Sequence, residues 1–290
     1  MSIQSPRLLV TGASGQLGRL VVAKLLESVP GGQIITLVRD AAAAESFKAQ
    51  GVEARLADYD QPQTLDAALA GADRVLLISS NVLGRRVAQH RNVIAAAKRV
   101  GVGLVIYTSV LHADRSPLGL AEDHRQTEAA LAASGLPHVI LRNGWYTENY
   151  TAAIAATLAH HALIGGAGEG QISSAARADY AAAAAIALTT NEDWNGRVFE
   201  LAGDTAHTLS QLAAEIARRS GQAVAYANLA EGDHKAALIG AGLPEEVAGL
   251  ISDSDAAASK GALFDDGREL SALIGRQTTP MADTVAAALA

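Results

Sequence analysis

The chain has 290 residues, with 23 Lys and Arg against 30 Asp and Glu, a formal charge of −7, and no cysteine. Without a basic field to attract phosphate backbones, nucleic acid is not an expected partner. The missing cysteines exclude disulfides, thiolate metal sites, cysteine nucleophiles and cysteine-ligated iron–sulfur clusters, while 49% hydrophobic and 18% charged residues fit a globular protein.

Residues 1–7 lack the charged start and apolar stretch of a signal peptide. The longest apolar stretch, around 180–188, is mostly alanine and falls short of the ~18–20 residues of a membrane span. The expectation is a cytoplasmic protein with no membrane partner. Runs rich in Val, Ile and Leu at 8–11, 34–38, 52–56, 75–79, 104–108 and 138–141 predict strands. Between the first two, Leu17, Leu20, Val21 and Leu25 recur at i, i+3, i+4 and i+8, one stripe of a helix that ends near Pro30-Gly31-Gly32. Helical patterns at 64–70 and 93–100 continue the alternation. It predicts an α/β fold, a Rossmann-type doubly wound parallel sheet with ligands at the carboxyl ends of its strands.

After Tyr150 the character changes to an alanine-rich helix, a glycine-rich loop at 165–170, and a further helix with Asp179 as its N-cap. A strand at 198–201, a helix from Leu209, a strand at 224–228 and helical segments near Pro244 and from Met281 follow. The expected division is a Rossmann domain over 1–150, with 172–202 packing back onto it, and a smaller C-terminal α/β lobe over 203–290 with 151–171 on the substrate side.

Thr11-Gly12-Ala13-Ser14-Gly15-Gln16-Leu17-Gly18 ends the first strand and opens the first helix. The glycines allow a tight turn, close backbone approach to a pyrophosphate and close helix–strand packing, with phosphates on the helix N-terminal N–H groups. At the end of the second strand an acid would accept from a ribose 2′-OH, whereas an arginine pairs with a 2′-phosphate. The residue there is Arg39, about 20 residues beyond the glycines, which favours NADP(H); Asp40 beside it leaves NAD(H) as the weaker alternative. Asp58, and Ser79, Ser80 and Asn81, sit at later strand ends, where adenine, ribose and phosphates would lie or where ordinary loop chemistry would suffice.

Many reductases on such a sheet protonate the product from a Tyr whose pKa is lowered by a Lys four residues later. No Tyr in this chain is followed by Lys at that spacing, and the stretch expected to hold the pair reads Ala121-Glu122-Asp123-His124-Arg125-Gln126-Thr127-Glu128. The absence favours acceptors that need little help with the proton. Hydride addition to a quinone gives a phenoxide whose pKa resembles the ~10 of a Tyr phenol, so water suffices as donor. The protein then supplies orientation and a slot for a flat acceptor. His124, His112 and Tyr146 are the candidates for assistance with the proton, although a lone histidine is more often a hydrogen-bonded core or surface residue. His160 and His161 are adjacent, face different sides of a helix and make no metal pair, so no metal site is expected. In the segment 141–150, Asn143 and Gly144 fall at a strand end near where a nicotinamide would lie. Trp145 and Tyr146 can wall a flat acceptor or simply anchor the second lobe.

The glycine motif, Val38-Arg39, Gln89-His90-Arg91-Asn92-Val93, Tyr107-Thr108-Ser109 with Leu111-His112-Ala113-Asp114, and Arg142-Asn143-Gly144-Trp145-Tyr146 together carry a resemblance. The chain resembles, almost end to end, the quinone oxidoreductases of the NmrA-like branch of the atypical short-chain dehydrogenase/reductases. That resemblance implies NADPH as cofactor and direct two-electron reduction of quinones without flavin or metal. It places Gly12, Ser14, Gly15, Gln16 and Leu17 on the pyrophosphate and Arg39 on the 2′-phosphate. Ser79, Ser80 and Asn81 border the adenosine side, and Asn143, Trp145 and Tyr146 the nicotinamide end. Such proteins often carry a further Lys in an Asn-Pro-x-Lys turn after the arginine; here the chain reads Asp40-Ala41-Ala42-Ala43-Ala44, which softens the expected preference for NADPH. Two other functions fit the missing proton donor, an NmrA-type redox sensor without catalysis and a reductase of cationic triphenylmethane dyes. Homo-oligomerisation is left open.

Overall fold

The computed structural model describes residues 5–290, so the signal-peptide reading of residues 1–7 lies in part outside the described residues. Strands β1 (Leu8–Val10), β2 (Ile34–Val38), β3 (Glu53–Leu56), β4 (Arg74–Leu77), β5 (Leu104–Val110) and β6 (His138–Asn143) alternate with five helices. These are α1 (Gln16–Leu26), α2 (Ala41–Lys48), α3 (Leu65–Leu69), α4 (Arg86–Val100) and α5 (Ala121–Ser134). There follow α6 (Glu148–Thr151), α7 (Ile154–His160), β7 (Ala162–Gly165), α8 (Arg177–Thr189), β8 (Val198–Leu201), α9 (Leu209–Ser220) and β9 (Ala225–Asn228). The chain closes with α10 (Glu231–Gly240), α11 (Glu245–Ala258), α12 (Glu269–Ile274) and α13 (Met281–Leu289).

A seven-stranded sheet has the order β3-β2-β1-β4-β5-β6-β8, and β7 pairs in parallel with β9. Within the large sheet β1 runs parallel to β2 and β4, β2 to β3, and β4 to β5. Strands covered on both faces read as continuous apolar runs, and Leu8, Leu9, Val10, Ile34 and Ile35 are all buried accordingly. Leu9, Ile35, Leu37, Val75, Leu77 and Tyr107 of the sheet form one core with Leu65 and Leu69 of α3, Val93 and Ile94 of α4, and Leu131 of α5. The doubly wound α/β class expected from the alternation is the one the chain adopts. Among the described residues no helix is long and apolar enough to cross a membrane.

Two compact units divide the chain: the residues up to Val110 with Asp123–Arg142 and Tyr180–Phe199, and Leu111–Glu122 with Asn143–Asp179 and Glu200–Ala290. The first holds β1 to β5, the second the β7–β9 pair.

Three differences from the expected elements have local causes. Helix α4 begins at Arg86 rather than near 93, because its first turns bury Arg86, Gln89 and His90, polar residues that hide the apolar period. The four-residue β7 runs straight into the glycine-rich loop, which masks it in the sequence. Asp179 is not an N-cap: it lies inside the first turn of α8, fully buried, and its carboxylate accepts from Arg276 Nη2 at 2.6 Å, Thr279 N at 2.7 Å and Thr279 Oγ1 at 3.1 Å. It ties the segment after α12 to the start of α8. Charge-assisted bonds of this kind are worth ~1.5–3 kcal/mol, so Asp179→Ala is expected to lower the unfolding free energy by about that amount, read from urea denaturation.

Candidate dinucleotide-binding site

The strand order reverses between β1 and β4, and a doubly wound sheet opens a crevice for ligands at the carboxyl ends of such a pair. Thr11, directly after β1, locks the two strands together. Its N–H donates to Leu76 O at 3.0 Å, and its hydroxyl oxygen accepts from Ile78 N at 3.1 Å. Gly12 turns with φ +58°, a left-handed conformation that favours glycine, and its carbonyl accepts from Gly15 N at 3.0 Å. At Gly18 a Cβ would collide with Gly12 O and Ala13 Cα, so only glycine lets α1 lie this close to the turn. Helix α1 has Gly15 as N-cap with no side-chain cap and no acidic residue in its first turn. Its first N–H groups therefore remain for an anion. Leu17 is buried beneath the turn, while Gly15 and Gln16 are exposed and Ser14 is half-buried. A cradle that a Cβ would fill, beneath uncapped helix donors, fits a pyrophosphate.

Arg39 follows β2 and is exposed; among the described residues no hydrogen bond or ion pair holds its guanidinium. Its neighbour Asp40 is engaged as the N-cap of α2, with Oδ1 accepting from Ala43 N at 2.7 Å. The carboxylate that competes for a ribose hydroxyl is thus partly satisfied, while the cation that suits a 2′-phosphate is not. Asp58, after β3, accepts Asp60 N on Oδ1 at 3.0 Å and donates its own N–H to Thr64 Oγ1 at 3.1 Å. After β4, Ser79 N–H donates to Thr108 Oγ1 at 2.9 Å, and Asn81 is exposed. Ser80 is turned inward: its N–H goes to His90 Nε2, its hydroxyl to Gln89 Oε1, and its carbonyl accepts from Arg86 Nε. The first unit thus gathers the glycine turn and the Ser79–Asn81 loop at the β1–β4 reversal, with Arg39 and Asp58 at the ends of the next two strands. Thr11 and Gly18, the two ends of the motif, thus shape the turn: one fastens the strand end and the other admits the helix, the close-packing role expected of a motif glycine.

The second unit carries the other candidates. Asn143 is 5% exposed, its Oδ1 has no hydrogen-bond partner among the described residues, and its Nδ2 reaches Tyr146 OH at 3.4 Å. A buried, unpaired amide oxygen fits a carboxamide donor such as that of a nicotinamide. Burial, above all, raises the Tyr146 pKa, so its phenol stays protonated at neutral pH, and Arg177 packs over its ring at 4.8 Å. Gly144 N–H donates to Leu201 O at 2.6 Å, and Trp145 O accepts from Ala175 N at 3.1 Å. His112 adopts φ 51°, its N–H donates to Glu200 Oε2 at 2.8 Å, and its Nε2 lies 2.9 Å from Asp265 Oδ2. It borders a separate polar cavity of about 290 Å³ with Asp114, Glu200 and Asp265.

Where a Tyr–Lys pair would stand, α5 turns His124, Thr127 and Glu128 inward at i, i+3 and i+4. His124 Nδ1 meets Tyr107 OH at 2.8 Å, Thr127 Oγ1 meets His90 Nδ1 at 3.0 Å, and Glu128 takes Ser109 Oγ and a bidentate Arg142. Burial, then the charge of Arg86, lowers the His124 pKa from its ordinary 6.5 to about 3. The imidazole is therefore neutral and internal, a structural partner of Tyr107 rather than a poised acid. Unfolding returns it to about 6.5, so the unfolded chain binds the extra proton between pH 6.5 and 3. Stability is accordingly full above that window and falls as pH drops through it. We expect the slope of unfolding free energy against pH near pH 5 to decrease by about one proton, ~1.4 kcal/mol per pH unit, in His124→Gln. Urea titrations at several pH values measure it.

Comparison with known proteins agrees with this geometry. A family model described as NAD(P)H-binding matches residues 12–190. The chain is 53% identical over 276 residues to quinone oxidoreductase 2 of Escherichia coli K12, covering 95% of this chain and 96% of that one. The crystal structure of an E. coli NADPH-dependent quinone oxidoreductase complexed with NADPH matches with a TM-score of 0.95 and 52% identity, over 98% of this chain and all of that one. A Citrobacter sp. triphenylmethane reductase complexed with NADP(H) matches with a TM-score of 0.92 and 35% identity, over 97% and 99% of the two chains.

Proposed function

The chain belongs to the NAD(P)H-binding family, and from that membership we propose that it is an NADPH-dependent quinone reductase transferring two electrons directly from nicotinamide to a quinone. The observation that carries the choice of cofactor is Arg39, exposed and unpaired at the end of β2, beside an Asp40 already capping α2. The glycine turn and the uncapped start of α1 receive the pyrophosphate. Arg39 pairs with the 2′-phosphate, Asp58, Ser79 and Asn81 border the adenosine, and Asn143 offers its unpaired Oδ1 to the carboxamide. NADPH, when bound, supplies the hydride. The chain orients it and provides the aromatic walls Trp145 and Tyr146 for a flat acceptor, largely a matter of proximity. A hydroquinone anion needs no strong acid, which accords with the lack of a Tyr–Lys pair, and the neutral Tyr146 phenol is the side chain suited to donate where one is used. The reading places the reaction in the cytoplasm.

Reduction of cationic dyes is the second reading, favoured by the 35% identity to the Citrobacter triphenylmethane reductase. A carbocation takes hydride with no proton at all, so the same site serves. Steady-state oxidation of NADPH and NADH by flavin-free protein with benzoquinone, menadione and a triphenylmethane dye separates the two. Saturable turnover with quinones, faster with NADPH, is expected; NADPH binding without quinone turnover would overturn the reading. Arg39→Ala is expected to weaken NADPH by roughly ten- to a hundredfold and NADH far less, from loss of a charge-assisted pair. Equal losses in fluorescence titrations would remove the 2′-phosphate role.

A further inference from the structure

Helix α4 sets Arg86, Gln89 and His90 on one face at i, i+3 and i+4, and all three are buried, at 7%, 3% and 0% exposure. Buried polar groups are costly unless paired, and all three are paired to one residue, Ser80. Arg86 Nε donates to its carbonyl at 2.6 Å, its N–H donates to His90 Nε2 at 2.9 Å, and its hydroxyl donates to Gln89 Oε1 at 2.5 Å. The amide nitrogen of Gln89 donates onward to Asp60 Oδ2 at 3.0 Å, and Asn92 Nδ2 donates to Tyr59 O at 2.8 Å. One helix therefore grips both the loop after β3, which contains Asp58, and the loop after β4, which contains Ser79 and Asn81.

The grip is built around a single histidine tautomer. Accepting Ser80 N–H on Nε2 requires the proton on Nδ1, which donates to Thr127 Oγ1 at 3.0 Å. The Thr127 hydroxyl in turn donates a hydrogen bond to Asp123 O at 2.9 Å. Burial, then Arg86, lowers the His90 pKa to about 3, so Nε2 remains an acceptor at neutral pH.

We propose that Arg86, Gln89, His90 and Asn92 are positioning residues for the adenosine half of NADPH, fixing the two loops that border it while touching neither cofactor nor quinone. The proposal rests on the NADPH reading above. It also gives Ser80 a role, as the point at which the loop is held, and leaves Ser79 and Asn81 to face the ligand.

The test uses the full chain and two probes, NADPH and adenosine 2′,5′-bisphosphate, titrated against Gln89→Met, Asn92→Ala, His90→Gln and His90→Ala. In Asn92→Ala, which loses one neutral hydrogen bond, both ligands are expected to weaken by about five- to tenfold, and in Gln89→Met, which loses the bonds to Ser80 and to the Asp60 carboxylate, by at least as much. KM for NADPH should rise by the same factor while kcat with menadione stays within about twofold of wild type. His90→Gln, which keeps an acceptor for Ser80 N–H, is expected to stay near wild-type affinity where His90→Ala does not. Unchanged affinity in folded Gln89→Met and Asn92→Ala, even with a lowered melting temperature, overturns the proposal and leaves the NADPH reading standing. A wild-type protein that fails to bind the bisphosphate overturns both. Should His90→Ala fail to fold, the half-buried Asn92 still decides the matter.

Discussion

Everything at the carboxyl edge of the sheet depends on how β1 and β4 are fastened where the strand order reverses. Two parallel strands with connections leaving in opposite directions would splay beyond their shared ladder, and there Thr11 adds a backbone bond to Leu76 of β4 and a side-chain bond to Ile78. A valine of the same shape would keep the first bond and lose the second. The turn at Gly12 and the close approach at Gly18 are built on that anchored end, which sets where the uncapped donors of α1 begin. Such preorganisation reduces the ordering cost of binding.

A second layer of order lies behind that edge. Helices α4 and α5 meet through polar side chains, His90 with Thr127 and Arg86 with Asp123 at 3.2 Å, and α5 is tied to β5 by His124 and Tyr107. An all-apolar contact would tolerate sliding by a fraction of a turn, whereas a chain of directional bonds has one register. The polarity that other reductases on this kind of sheet devote to proton transfer serves geometry here. Hydride transfer to an acceptor that needs no strong acid leaves those positions at liberty to do so.

The large sheet was legible because strands buried on both faces appear as uninterrupted Val, Ile and Leu runs, and the glycine turn because its spacing is dictated by a ligand rather than by packing. Strand-end positions such as Arg39 and Asp58 followed from the strands themselves. The reverse face of the same logic hid the rest. Ser80 and Asn81 look alike in sequence, yet one faces α4 and the other solvent, and only the start of α4 decides which. That start was itself concealed by buried Arg86, Gln89 and His90. His124 read as a candidate acid because residue type does not reveal burial. Asp179 read as a cap because acids are common at helix starts, whereas its partners, Arg276 and Thr279, are remote in sequence.

The borders of the large sheet bear on how this protein behaves when crowded. A long parallel sheet ends in two strands whose outer backbone groups invite another chain to add itself. On one side β3 alternates charge along its length, with Glu53 bonded to both Arg7 and Arg55, so an incoming strand would have to strip ion pairs that water now shields. On the other, Glu269 reaches over to accept the Glu200 amide at 2.8 Å, occupying a donor that a stray strand would need. Both borders are blunted by carboxylates. The acids at these two edges thus discourage edge-to-edge pairing as well as lending the surface its charge.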